Sequence, residues 1–450
     1  TTTAAVARRL RFGQPAHLQL LTPGVTMSDT QIGAQRYMGL MGHLPLLYSG
    51  EGTQALLICF GVGNTARSLL SHPELERLDV VDIATEVLGL SGRFAQVHGM
   101  DPLADPRVQV LVEDGRQHLR TSDRRYDVIT AEPPPPTDAG VVNLYTQEFY
   151  AAARARLKEG GVVAQWVPLF QLSADETASI IAAFVAEFPH TALHYGYRYQ
   201  WVLLGSERPL EVEPAVWARR LASPGVQADL ERIGANGMQR LLATRIQDDA
   251  GLRIVARQAR ALTDDRPSLQ YPRVGLGGQV EVPPGLVGVR SAVIDVLPFL
   301  TVRPFELREL LLARGIGPLL AADPSDPHLQ SLLRVGVDWT GPARRHLADH
   351  GTDPEARFTL ARLAFHQGRW AEALSELDAV PPASVGSALH AVLRGGALRA
   401  LGRPAEATKS FVEAAQASGS ERFAAEAMAL AATAHQPVDE DRGPLADLAP

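Results

Sequence analysis

The sequence predicts an α/β domain on a mostly parallel sheet, joined to an all-α region near the C-terminus. Three observations support this. Strand-like and helix-like segments alternate from about residue 55 to 205. A glycine turn, Gly61-Val62-Gly63, follows the first apolar run, and an aspartate, Asp82, closes the next. Far downstream a six-residue pattern returns after 34 residues.

The elements follow in order. Leu10 to Leu21 reads as extended and Thr22-Pro23-Gly24 punctuates it, so residues 1–50 are expected to hold a β-hairpin and a lead-in helix over Gln35–Tyr48. Residues 51–206 alternate. The apolar runs 55–61, 78–83, 108–113, 126–131 and 161–167 read as strands. The segments 64–72, 86–97, 117–121, 147–157 and 174–188 read as helices. Such alternation implies right-handed crossovers and a parallel sheet. Two last strands, near 192–195 and 200–205, read as antiparallel, which makes the expected sheet Rossmann-like and of the methyltransferase type. Residues 207–300 read as a helical extension followed by a linker at 275–289. In residues 301–450, Gly368-Arg369-Trp370-Ala371-Glu372-Ala373 recurs as Gly402-Arg403-Pro404-Ala405-Glu406-Ala407. The 34-residue offset is the period of a tetratricopeptide helix pair. Ala361, Ala364, Ala373 and Ala407 let paired helices approach, Phe365 and Trp370 read as core, and helices near 325–350 and 420–434 are expected to cap the repeats.

Composition narrows the class. The chain has 450 residues, 46% hydrophobic and 21% charged, with a net charge of −7, enough apolar material for a sizeable core. That balance argues against a nucleic-acid partner, which needs excess Lys and Arg. The single cysteine, Cys59, forms no internal disulfide and reads as a buried thiol. No run approaches the ~20 apolar residues of a bilayer span. The expected location is cytoplasmic, or the soluble part of a membrane-anchored protein.

The candidate site lies at the carboxyl ends of the strands, where open α/β sheets bind ligands. Gly61 and Gly63 allow close backbone approach. Asp82, about 20 residues on, is placed to accept ribose hydroxyl protons or is a solvated strand-end carboxylate. Ile83 beside it joins the cofactor-binding set. Asp114-Gly115 ends the third strand, and Asp114 either meets an adenine amino group or forms a turn. Glu132, before Pro133-Pro134-Pro135-Pro136, is placed to hold or deprotonate an amine or caps a turn. His43 reads as a structural histidine or a pocket-edge residue, and Trp166 as acceptor lining or core. Asp264-Asp265 reads as a cap rather than a metal site, since no His or Cys cluster accompanies it.

At this point the sequence resembles the spermidine synthase (polyamine aminopropyltransferase) family, in particular a bacterial branch often fused to transporter-like membrane segments. The residues that carry the resemblance are Gly42-His43-Leu44-Pro45-Leu46, Gly61-Val62-Gly63, Val81-Asp82, Asp105-Pro106-Arg107-Val108, Glu113-Asp114-Gly115-Arg116, Tyr126-Asp127-Val128-Ile129, Leu144-Tyr145, Glu148-Phe149-Tyr150, Gly160-Gly161-Val162 and Gln165-Trp166. Thr263-Asp264-Asp265 with Pro267 and Tyr271 resembles that branch's closing motif. The resemblance implies transfer of an aminopropyl group from decarboxylated S-adenosylmethionine to putrescine, with Asp82 on the ribose, Asp114 on the adenine, Glu132 as the catalytic carboxylate and Tyr37 beside it. It also implies a homodimer. The chain departs from the pattern at Val62 and near Pro135, where acidic residues are usual, at Glu132, where aspartate is usual, and at Met38, where glutamine is usual.

Three functional readings follow. The first is aminopropyl transfer to an amine. The second is a methyltransferase or another enzyme consuming S-adenosylmethionine. The third is a non-catalytic nucleotide-binding scaffold whose tetratricopeptide region binds a protein. No metal is expected under any of them.

Overall fold

The computed structural model describes residues 3–22, 25–134, 136, 140–197, 199–242, 244–270, 283–284, 286, 340–366, 368–418 and 421–435. The chain divides into two compact units, the first of residues 1–9 and 16–294 and the second of residues 10–15 and 295–450.

The N-terminal strands form a three-stranded sheet: β1 (Ala5–Arg11), β2 (Gln14–Thr22) and β3 (Val25–Asp29). The expected hairpin thus has a third strand. Its first turn sits at Phe12-Gly13, both left-handed at φ 49° and 69°, because two residues with φ > 0 match the strand twist of a tight hairpin.

Helix α1 (Ile32–Tyr48) leads into an eight-stranded sheet. Its strands are β4 (Gln54–Ile58), β5 (Arg77–Val81), β6 (Val108–Leu111), β7 (Tyr126–Ala131), β8 (Leu157–Pro168), β9 (His190–Tyr197), β10 (Gln200–Ser206) and β11 (Arg245–Gln247). Their order is β11-β9-β10-β8-β7-β4-β5-β6. Strands β4 to β8 pair in parallel, whereas β9, β10 and β11 close the sheet antiparallel. Between the strands run α2 (Asn64–Leu70), α3 (Thr85–Leu88), α4 (Ala95–His98), α5 (Gly115–Thr121), α6 (Gln147–Ala155) and α7 (Ala174–Glu187).

The helix expected over 86–97 is broken. A 3₁₀ turn at Ser91–Arg93 separates α3 from α4, since Gly89 and Gly92 disfavour a continuous helix. By contrast α7 begins where Ser173 and Glu176 make a reciprocal capping box. Helices α8 (Pro214–Leu221), α9 (Pro224–Arg232), α10 (Met238–Leu242) and α11 (Asp249–Ala256) complete the first unit. Strand β11 was not expected. Its three residues are too few to show a period against the surrounding helices. The linker expected at 275–289 lies almost wholly outside the described residues.

Arg36, His43 and the helix α9 tie α1 into place. His43 is fully buried, with Nδ1 2.8 Å from His72 Nε2 and Nε2 2.9 Å from Asp229 Oδ2. Asp229 also accepts from Ser68 Oγ at 2.6 Å and pairs with Arg67 and Arg232. Burial pushes His72 down to about 4. His43 is therefore a structural residue joining α1, α2 and α9.

In the second unit, helices span Thr340–His350, Pro354–His366, Trp370–Asp378, Pro382–Val385, Ser387–Ala400, Pro404–Ala417 and Glu421–Thr433. The repeated hexapeptide does the same thing twice. Gly368 and Gly402 turn left-handed at φ 72° and 70°. The next N–H groups, of Arg369 and Arg403, each donate to a carbonyl five residues back, at 2.9 Å. Each arginine then pairs with the glutamate three residues on. Ala361, Ala364, Phe365, Ala373, Ala407 and Phe411 are buried in one core, and Trp370 packs edge-on against Phe365. Of the capping helix expected near 325–350, Thr340–His350 is helical and the rest lies outside the described residues, and Glu421–Thr433 matches the one expected near 420–434.

Among the described residues no helix is long and apolar enough to cross a membrane.

Candidate active site

The strand order itself locates the site. The chain runs outward from β4 through β5 and β6, then returns to β7 on the other side of β4. Ligands in open α/β sheets bind at such a reversal, outside the carboxyl ends of the strands. Here those ends are Ile58 of β4 and Ala131 of β7, which face each other in register. The N–H of Glu132 donates to the Ile58 carbonyl at 3.2 Å, so the carboxylate stands at the reversal point.

The turn after β4 is built from left-handed residues. Cys59, Gly61 and Gly63 have φ of 69°, 57° and 84°. A Cβ on Gly63 would lie 2.8 Å from the Phe60 ring, so glycine is needed there for space as well as for φ. Cys59 carries the strain of a left-handed non-glycine residue, about 1 kcal/mol. Burial, with Asp82, Glu132 and Asp114 nearby, raises its thiol well above the usual range, so it is no ready nucleophile.

Two side chains clamp this turn. Asp82 Oδ2 accepts from the Phe60 N–H and Oδ1 from the Ala84 N–H, both at 2.8 Å. Burial raises the Asp82 carboxyl while these N–H donors oppose the shift. Each oxygen retains a second lone pair for a hydroxyl donor. On the far side, His98 Nε2 lies 2.8 Å from the Val62 carbonyl. Ile83, next to Asp82, is 73% exposed, an open apolar surface beside the carboxylate.

Asp114 caps α5, accepting from the Gln117 N–H at 2.8 Å. Its side chain is exposed. Gly115 is needed for close packing: a Cβ there would sit 2.4 Å from Ile58 Cγ2. Arg116 pairs bidentately with Asp264. Asp264 also accepts from Thr146 Oγ1 at 2.9 Å, and its N–H donates to Glu148 at 3.0 Å. The Leu262 carbonyl accepts from the Gln147 N–H at 2.9 Å. Residues 262–264 therefore strap the start of α5 to the start of α6. Arg116 above all holds the Asp264 carboxyl below its ordinary value.

Glu132 is the most perturbed carboxyl of the site. Burial pushes it up to about 7, against the pull of two hydroxyl donors. Those donors are Tyr37 Oη, at 2.5 Å from Oε1, and Thr65 Oγ1, at 3.4 Å from Oε2. Tyr37 is buried on α1, and burial first, then the Glu132 charge, raises its phenol well above the usual range. It therefore stays a donor. Its ring stacks on Trp166, with centroids 6.0 Å apart and planes 19° apart, and Phe170 lies 6.5 Å beyond. Burial above all, with the Glu132 charge among the further causes, also raises the phenol of Tyr145 well above the usual range. Val62 is buried in an apolar cluster with Leu18, Leu20, Tyr37, Met38 and Trp166.

The structure thus brings Gly61, Gly63, Asp82, Glu132 and Tyr37 together and sets Asp114 and Gly115 at the neighbouring strand end. Pro135 lies outside the described residues. Thr65, His98 and the Asp264 strap were missed: each acts across a long sequence separation with no local pattern. Tyr145 and Gln165 were visible only as parts of motifs. Among the described residues no group of three or more His, Cys, Asp or Glu side chains is placed to hold a metal ion.

Residues 34–185 match the spermine/spermidine synthase domain, and residues 344–394 match a tetratricopeptide repeat. The chain is 37% identical over 127 residues to a polyamine aminopropyltransferase of Bacillus subtilis, covering 28% of this chain and 45% of that one. It is 30% identical over 145 residues to polyamine aminopropyltransferase 1 of Pseudomonas aeruginosa, covering 32% and 50%. The chain thus spans about half the length of these curated relatives. A probable spermidine synthase from Corynebacterium glutamicum is similar in structure, with TM-score 0.42 and 19% identity over 60% of this chain and 99% of that one. The likeness to known families thus lies in two separate stretches, residues 34–185 to the spermine/spermidine synthase domain and residues 344–394 to a tetratricopeptide repeat.

Proposed function

We propose that this protein transfers an aminopropyl group from decarboxylated S-adenosylmethionine to an amine acceptor. The observation that carries the reading is Glu132, a carboxyl raised to about 7 at the sheet's reversal point and held by Tyr37. A base of that pKa takes a proton at neutral pH and still drives the transfer. The matching domain and the aminopropyltransferase relatives support the same chemistry.

In this reading Asp82 and the Gly61–Gly63 turn hold the nucleoside, and Ile83, Asp114 and Gly115 flank its base. The amine lone pair forms a bond to the carbon on the sulfonium. The carbon–sulfur bond breaks, its electron pair returns to sulfur, and the departing amine proton passes to Glu132. The chain's contribution is to align the two partners, exclude water and accept that proton.

Val62 favours a second reading. Its buried side chain offers no charge to an ammonium on the donor, which fits S-adenosylmethionine and methyl transfer better. Calorimetric titration with S-adenosylmethionine, its decarboxylated form and methylthioadenosine separates the two, with Asp82→Ala as the control. Tighter binding of the decarboxylated form, weakened by the substitution, is expected. Preference for S-adenosylmethionine selects methyl transfer, and no binding of any of the three defeats both.

A further inference from the structure

A threonine hydroxyl carries one hydrogen and two lone pairs. Thr65, buried on α2, sets Oγ1 within donating distance of two acceptors: the Met38 carbonyl of α1 at 3.2 Å and Glu132 Oε2 at 3.4 Å. Its hydrogen serves one of them at a time. The other oxygen of Glu132 has no such choice. Tyr37 Oη stands 2.5 Å from Oε1, and its phenol, raised well above the usual range by burial and then by the Glu132 charge, keeps its hydrogen. Oε1 is thus an acceptor in both states of the carboxyl.

The groups that interact with the Glu132 charge keep their own protons. Besides Tyr37 these are Cys59, in the turn after β4, and Tyr145, before α6, both raised well above their usual ranges, by burial first. Asp29, at the end of β3, acts on Tyr37 and accepts from the Gln31 N–H at 2.8 Å and Gln31 Nε2 at 3.2 Å. Among Tyr37, Cys59, Tyr145 and Glu132, the charge that changes near neutral pH is therefore that of Glu132, which burial pushes up to about 7.

We infer that Glu132 takes its proton on Oε2, and that Thr65 is a positioning residue that serves both forms of the carboxyl. The inference rests on the transfer reading above. With Glu132 ionised, Thr65 donates to Oε2, a charge-assisted bond. In the transfer, the amine lone pair forms the carbon–nitrogen bond and the carbon–sulfur bond breaks with its pair returning to sulfur. One N–H bond then breaks, its electron pair staying on nitrogen, and an O–H bond forms at Oε2. Thr65 turns its hydrogen to the Met38 carbonyl and accepts from Oε2 with a lone pair. Only hydrogens move, so the proton is received without reorganising the packed side chains. Tyr37 and Met38 are neighbours on α1, and that helix fixes Oε1 directly and Oε2 through Thr65.

The test reads Glu132 directly, by carboxyl-carbon NMR of the full chain carrying isotope-labelled glutamate, with Glu132→Gln identifying the resonance. Thr65→Val replaces the hydroxyl by a methyl group. The ionised carboxylate loses more from this than the neutral acid does, so the titration midpoint is expected to rise by about half a unit to one unit. Thr65→Ser keeps the hydroxyl and is expected to stay near wild type, whereas Thr65→Ala, the smaller deletion, is expected to move the midpoint as Thr65→Val does. The acid limb of kcat/KM, measured with decarboxylated S-adenosylmethionine and putrescine, should move with the midpoint, with KM for the S-adenosyl donor little changed. A midpoint unmoved or lowered in Thr65→Val and Thr65→Ala, or raised as far by Thr65→Ser, overturns the role of Thr65. A raised midpoint in a chain that turns over no S-adenosyl donor supports that role and defeats the transfer reading alone.

Discussion

Glu132→Gln tests the central carboxyl. In the folded chain this group sits at about 7, against about 4.3 for a free glutamate. Each unit corresponds to about 1.4 kcal/mol, so ionising it in place costs up to about 3–4 kcal/mol. The side chain is only partly buried by accessible surface, and solvent screening lowers the figure to about 1–2 kcal/mol. The sign follows from the raised value. Protonated Glu132 favours the fold fully below pH ~4.3, and this contribution is lost as pH rises through about 7. Glutamine does not titrate. Relative to wild type, the variant should therefore gain about 1–2 kcal/mol in stability between pH 4.5 and pH 8. Urea unfolding followed by tryptophan fluorescence at both pH values measures this, with Trp166, Trp201 and Trp217 reporting on the first unit. The same variant should lose about 10²–10⁴ in turnover, and wild-type kcat/KM should fall below an acid limb near pH 7. A stability difference that stays constant from pH 4.5 to 8 would refute the desolvated carboxyl. Full turnover by the variant would refute its role as base.

Other outcomes follow from single contacts. Asp82→Ala frees the N–H groups of Phe60 and Ala84, and at about 1.5–3 kcal/mol for each charge-assisted bond methylthioadenosine affinity should drop at least tenfold by calorimetry. Asp229→Asn removes the charge that joins His43, Arg67 and Arg232, so chemical denaturation should show a loss of about 3–5 kcal/mol; a loss under 1 kcal/mol would mean the cluster relaxes. Asp264→Ala cuts the strap between α5 and α6. It should raise KM for the nucleoside donor several-fold with kcat little changed, and Glu132's acid limb should not move. Gly402→Ala forces a left-handed alanine into the second repeat and should cost about 1–2 kcal/mol in the unfolding of the C-terminal unit.

The parallel part of the sheet was legible because each strand is a short apolar run set off from an amphipathic helix. Tyr126–Ala131 matches its expected limits, since Arg125 before it and Glu132 after it bound six buried residues. Where the pattern blurred, so did the reading. Val25–Asp29 is only five residues of mixed character. The 86–97 segment keeps helical spacing across two glycines that the backbone uses to turn. The site was legible as positions but not as contacts. The spacing of Asp82 predicts a carboxylate at the end of β5, yet nothing local announces that it grips Phe60 of the previous turn. Likewise His43 Nε2 meets a partner 186 residues away. Burial and pairing at that separation come from tertiary packing, which a single sequence does not encode in any short pattern.

Asp82 also shows why a family-like residue need not have one role. Its two N–H partners hold the glycine turn in its left-handed geometry before any ligand arrives, and lone pairs are left over on both oxygens. Under the proposed function, support of the turn and recognition of the nucleoside act through one carboxylate, and preorganisation reduces the ordering cost of binding. Glu132 differs. It stands in the place where aspartate is usual, and its longer side chain reaches the Tyr37 hydroxyl at 2.5 Å while its own N–H remains on the Ile58 carbonyl. The Tyr37 ring then fixes Trp166 by stacking. A change at the acid is therefore transmitted through Tyr37 to Trp166, which share one buried apolar cluster with Val62.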